Sequence, residues 1–188
     1  MKKENRFMRV LRRYGVVAMS VVAVVVIAMV VTFNVKPAVE EKTDPVSTEV
    51  VEFGLPMNNA VVVKDYADDH LQFNKSLNRW EIHLSVDLAS ENSKVYAVCD
   101  GVVTKIDSNS LDGYVVEIAH DDGFASVYGS LGEVTNLKVG DKVTRGQNIG
   151  IAEKTAANEA ADGAHLHFTL LKNGVEIDPN NYLDLQNK

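Results

Sequence analysis

The 188-residue sequence predicts an all-β domain of antiparallel strands behind a single membrane-spanning helix. From Phe53 onward, short runs alternate apolar and polar residues with the period of two that a half-buried strand requires. Turn-forming pairs punctuate these runs at Asp100-Gly101, Asp112-Gly113, Asp122-Gly123, Asn173-Gly174 and Asp178-Pro179, and no long stretch repeats apolar residues at helical spacing. The helix is predicted by residues 15–33, nineteen residues without a charge, about 28 Å long as a helix and enough to cross a bilayer core.

Residues 1–14 form a basic stub. Lys2, Lys3, Arg6, Arg9, Arg12 and Arg13 face only Glu4, an excess that keeps this end cytoplasmic and sends the rest of the chain outside. The span at 15–33 exceeds the apolar part of a cleavable signal peptide, and Thr32-Phe33-Asn34-Val35-Lys36 offers no small-x-small cleavage site, so it reads as an uncleaved anchor. Residues 34–52 hold Pro37, Pro45 and several charges without any period, a semi-extended linker reaching roughly 60 Å when stretched. The domain occupies 53–188, with strands expected at 80–88, 94–98, 102–107, 114–120, 124–128, 148–153 and 165–171.

Residues 34–188 carry 13 Lys and Arg against 25 Asp and Glu, a net charge of −12 and the wrong sign for a nucleic-acid partner. Cys99 is the only cysteine, which excludes an internal disulfide; its place at a strand end reads as a buried, inert thiol. Residues 139–150 also fit the hairpin of biotinyl and lipoyl carrier domains, but no modifiable Lys sits at its tip, and Gly140 and Gly146 are better explained as turn residues.

Two short motifs carry the chemistry: His83-Leu84-Ser85-Val86-Asp87 and His165-Leu166-His167. Zinc prefers four tetrahedral ligands, and a catalytic site uses three protein donors so that water takes the fourth position; His83, Asp87 and His167 fit. A straight strand would separate His83 from Asp87 by roughly 13 Å, so the chain must bend near Ser85. His165 and His167 share a strand face about 6.6 Å apart, one for the metal and one for the cleft, leaving Leu166, Phe168 and Leu170 for the core. The competing reading pairs His83 with Asp87, or with water, on a polar face without metal. His120 reads as structural, His70 as solvated surface, and Trp80 and Tyr66 as packing residues. The Ala- and acid-rich segment 153–162 reads as a loop or short helix beside the cleft that specifies no ligand.

These residues resemble the M23 or LytM family of zinc endopeptidases, whose pattern is His-x-Gly-x-Asp, then Tyr-x-His-Leu, then Gly-Pro-His-Leu-His-Phe-Glu. The resemblance spans roughly 53–183 and implies a barrel-sandwich-like domain built on a duplicated hybrid motif, with zinc on His83, Asp87 and His167 and His165 as a catalytic His. Ser85 replaces the bend-permitting Gly, Ala164 the Pro, Thr169 the Glu, and Ser130 the second catalytic His. Ser130 cannot carry an imidazolium's charge, a loss typically costing ~10² to 10³ in rate. Ser130→His is expected to restore some hydrolysis, and Tyr128 is the nearest substitute donor by sequence. Basic stub, anchor, linker and a lone domain with a damaged catalytic set are similar to family members that act as sporulation scaffolds. The resemblance thus implies a forespore-membrane protein facing the intermembrane space and binding the extracellular domain of a second sporulation protein. Cutting peptidoglycan cross-bridges, or activating a separate cell-wall hydrolase, are the alternatives.

Overall fold

The computed structural model describes residues 13, 51–134 and 136–185. The predicted span and residues 34–50 of the predicted linker fall outside the described residues, among which no helix is long and apolar enough to cross a membrane.

Alternation along the chain decides which way each strand faces. Leu166, Phe168 and Leu170 are fully buried in the core, as the period of two demands, while His167 between them keeps partial access to solvent. Among the described residues twelve strands result: β1 (Val61–Lys64), β2 (Ala67–Asn74), β3 (Arg79–His83), β4 (Val86–Ala89), β5 (Lys94–Tyr96), β6 (Gly101–Asn109), β7 (Gly113–Ala119), β8 (Phe124–Leu131), β9 (Lys142–Val143), β10 (Asn148–Ile151), β11 (Leu166–Lys172) and β12 (Val175–Ile177). Eight form one sheet in the order β1-β4-β11-β8-β7-β6-β9, with β12 also paired to β11. The pairs β5–β10 and β2–β3 stand apart, and every pairing is antiparallel. Val95, Val98 and Ile149 from the β5–β10 side join Val86, Leu88, Ile118, Tyr128 and Phe168 in one apolar cluster. Asn173 and Gly174, both at positive φ, close the two-residue β11–β12 hairpin, the conformation such a turn needs to match strand twist.

The sequence expectation changes in three places. The single strand expected at 80–88 is two strands, broken by the bend at Ser85. β1, β2, β9 and β12 were not expected; β2 reads Ala-Asp-Asp-His-Leu-Gln-Phe-Asn, too polar to signal a strand, and is largely exposed. Trp80 does not pack in the core but is 65% exposed on β3, tilted against Phe73 of β2 at 5.4 Å between ring centroids. Tyr66, by contrast, packs against the core as expected.

Candidate metal centre

β4 and β11 are sheet neighbours, and their register sets Asp87 directly opposite His167. The bend at Ser85 turns β3 back toward them, so that His83 Nε2 lies 3.4 Å from Asp87 Oδ2. Each imidazole is oriented from behind, as metal-binding histidines generally are. His83 Nδ1–H donates to the Asp65 carbonyl at 2.9 Å, which leaves Nε2 facing the cluster. His167 Nε2–H donates to Ser85 Oγ at 2.8 Å, which leaves Nδ1 facing Asp87 Oδ1, also at 2.8 Å. Ser85, which replaces the pattern's glycine, thus supplies a hydroxyl that a glycine lacks.

A fourth donor was not read from the sequence. The 3-10 segment Ala157–Asp162 carries Glu159, 4% exposed, into the same cluster. Its Oε2 lies 2.8 Å from His167 Nδ1 and 3.4 Å from His165 Nε2, and its Oε1 lies 3.5 Å from His83 Nε2 and 3.5 Å from Lys64 Nζ. Ligand atoms of His83, Asp87, Glu159 and His167 all fall within 4.8 Å of one another. The only trace in the sequence was an acid amid small apolar residues, and no periodicity tells where such a loop residue will fold. Segment 153–162, expected to lie beside the cleft and to specify no ligand, thus brings one carboxylate into the cluster.

Opposite charges face one another within the cluster. Burial disfavours the charged form of His83, but hydrogen bonds with Asp87 and Glu159 outweigh it and carry its pKa up to about 9. The same opposition, with the same two carboxylates, carries His167 up to about 10. His165 is raised as well: burial lowers it, and Glu159 more than compensates. Glu159 and Asp87 are held below the usual carboxylate range, because the imidazoles overcome the burial that would raise them.

The residues fit a divalent cation of the zinc type. Two imidazole nitrogens and two carboxylates converge, and Asp87 Oδ2 is buried with nothing closer than the 3.4 Å contact with His83 Nε2, an arrangement costly in a protein interior unless something else satisfies it.

The remaining predicted positions are distributed around this cluster. His165, 1% exposed, gives Nδ1–H to the Gly163 carbonyl at 3.0 Å and turns Nε2 toward Glu159. Ser130 is fully buried at φ 56°, and its hydroxyl donates to the Glu153 carbonyl at 2.8 Å. Tyr128 is no substitute donor: its ring lies in the core against Phe168, and its oxygen accepts from Val98 N–H at 2.9 Å. Burial pushes its pKa upward. His120 is structural, with Nδ1–H donating to the Asp100 carbonyl at 2.8 Å and Nε2 lying 2.7 Å from Ser126 Oγ, and His70 is exposed beside Asp69. Cys99 is half-buried, and burial raises its thiol pKa. Beside His167 lies a cleft of about 190 Å³, lined also by Asp112, Gly129, Glu159 and Thr169.

A β domain that gathers histidines and carboxylates at one edge of a cleft has the form of a metal-dependent hydrolase domain. The chain belongs to peptidase family M23, whose model matches residues 81–179. It is 37% identical over 136 residues to stage II sporulation protein Q of Bacillus subtilis, an alignment covering 68% of this chain and 47% of that protein. Over 92 residues it is 33% identical to the peptidoglycan DD-endopeptidase ShyC of Vibrio cholerae, covering 49% of this chain and 20% of that enzyme. The chain therefore spans half or less of these relatives. Its fold matches a chain in the structure of the SpoIIQ–SpoIIIAH pore-forming complex, with a TM-score of 0.62, 32% identity and coverage of 72% of this chain and 92% of that one.

Proposed function

We propose that this chain is a zinc-holding M23 domain that serves as an interaction scaffold in sporulation, with peptide hydrolysis impaired. Residues 15–33 anchor it in the forespore membrane, the domain faces the intermembrane space, and its partner is the extracellular domain of a SpoIIIAH-like protein. The observation that carries the loss of hydrolysis is Ser130. It replaces the family's second catalytic His, and its hydroxyl is turned to the Glu153 carbonyl.

His83, Asp87 and His167 would hold the zinc, with Asp65 and Ser85 fixing the two imidazoles. Bound there, zinc supplies Lewis acidity toward a carbonyl or a water. Stabilising an oxyanion also takes a preorganised donor opposite the metal, and Ser130 does not provide one.

The scaffold reading is supported by the likeness to SpoIIQ and by the β2–β3 hairpin. Phe73 pairs with Trp80 across it, and Leu71, Phe73, Trp80 and Ile82 are 55%, 42%, 65% and 49% exposed. Alternation places all four on one face, and exposed aromatic clusters of this kind carry binding energy in protein interfaces. The full chain is expected to bind a SpoIIIAH ectodomain, and Trp80→Ala to weaken binding at least tenfold, about 1.4 kcal/mol. Unchanged binding by Trp80→Ala removes the hairpin from the interface; no binding by the wild type overturns the scaffold reading.

An endopeptidase cleaving peptidoglycan cross-bridges is the second reading, favoured by the cleft beside His167 and the likeness to ShyC. Release of muropeptides by the wild type, abolished by His83→Ala, would establish it.

A further inference from the structure

We infer that Glu159 is a fourth protein ligand, which closes the metal site at the position where a hydrolase keeps water. The inference rests on the zinc reading above and goes beyond it, because the family pattern supplies only His83, Asp87 and His167.

Catalytic zinc sites use three protein donors and leave one position open, whereas four-donor sites are structural. Bonds of about 2.05 Å arranged tetrahedrally give ligand-to-ligand edges of roughly 3.3 Å. The edges from His83 Nε2 to Asp87 Oδ2 and to Glu159 Oε1 measure 3.4 and 3.5 Å. His167 Nδ1 is 2.8 Å from the other oxygen of each carboxylate, Asp87 Oδ1 and Glu159 Oε2, and one donor atom from each of the four residues lies within 4.8 Å of the rest.

Glu159 is also held in place from outside the cluster. Lys64 Nζ lies 3.5 Å from Oε1 on a side chain only 9% exposed, and that ammonium is buried without a hydrogen-bond partner. A buried cation is stable only beside a compensating charge, so Lys64 positions Glu159. β1 places Lys64 opposite Asp87 in register, on the strand bordering the site. On its other side Glu159 meets His165, the residue that the family pattern makes catalytic, at 3.4 Å. One carboxylate thus occupies the position of the water and engages the histidine that would act on it.

The test uses the full chain loaded with Co²⁺, whose visible absorption reports coordination, with azide as a probe for an exchangeable position. The wild type is expected to show an intense four-coordinate spectrum that azide leaves unchanged. Glu159→Gln, which keeps the side chain's shape, and Glu159→Ala should still bind one metal, respond to azide, and lose at least about tenfold in metal affinity, the lower end of the cost of losing a supporting group. An azide-responsive wild type, or variants with unchanged affinity and spectrum, overturns the inference while leaving the zinc reading intact. A wild type that takes up no metal overturns both. If Glu159→Ala fails to fold, Glu159→Gln together with Lys64→Met, which removes the stranded cation, decides the matter by the same readout.

Discussion

His83 and Asp87 are four residues apart in sequence yet share one cluster with His167, and each side chain there has a distinct physical task. Losing either His83 or Asp87 removes a proposed ligand and leaves its former partners buried; His83→Ala and Asp87→Ala should each abolish the roughly one zinc per chain expected of the wild type by elemental analysis. Tyr128→Phe tests the corrected role of that tyrosine. It should lower stability by about 1–3 kcal/mol in urea unfolding, because Val98 N–H loses its buried acceptor, and should not alter metal binding. The structure also changes the expectation for Ser130→His. An imidazole there must enter fully buried space and displace the bond to Glu153, and Glu159 would still close the metal position. Overpacking of this kind costs typically ~1–3 kcal/mol, so the variant should be destabilised and gain no measurable hydrolysis. The three residues expected to hold metal were readable because each of their two motifs is short and chemically specific. Glu159 was not, because nothing in Asn158-Glu159-Ala160 encodes the long-range packing that inserts it between three histidines.

At the scale of elements, the bend at Ser85 was legible from distance, since a straight strand would hold His83 and Asp87 near the limit of what two side chains can span to one ion. β11 was equally legible, with the alternation of Leu166, Phe168 and Leu170 fixing which face His167 takes. β2 was hidden by its polarity, for a two-stranded hairpin outside the main sheet has little apolar burial to imprint on its sequence. The cluster joining β3, β4, β11 and the Glu159 segment makes the metal-free protein sensitive to pH. Folding raises His83 to about 9 and His167 to about 10, so their contribution is fully present below the unfolded value near 6.5 and is lost as pH rises through 9 to 10. Depressed Asp87 and Glu159 work in the opposite direction, contributing above the ordinary carboxylate range and fading in acid. Chelator-treated protein should therefore show a melting temperature that falls from about pH 7 to pH 10. A flat profile over that range would show that the imidazoles are neutral in the folded state.

For the whole molecule, the proposed function is that of a tethered scaffold, with the basic stub and apolar span of the sequence anchoring the acidic β domain. Six cations before the span predict a domain outside the cell membrane, so protease added to intact protoplasts should degrade it, and protection would reverse the orientation. The central claim is that the domain has kept the metal and lost the hydrolysis. It is tested most directly by incubating zinc-loaded full-length chain with purified peptidoglycan and measuring released muropeptides beside an intact M23 endopeptidase. The account predicts release at least ~10²-fold slower than the intact enzyme, the cost of one absent oxyanion donor, and slower still if Glu159 closes the site. Release at a comparable rate, stopped by His83→Ala, would contradict it.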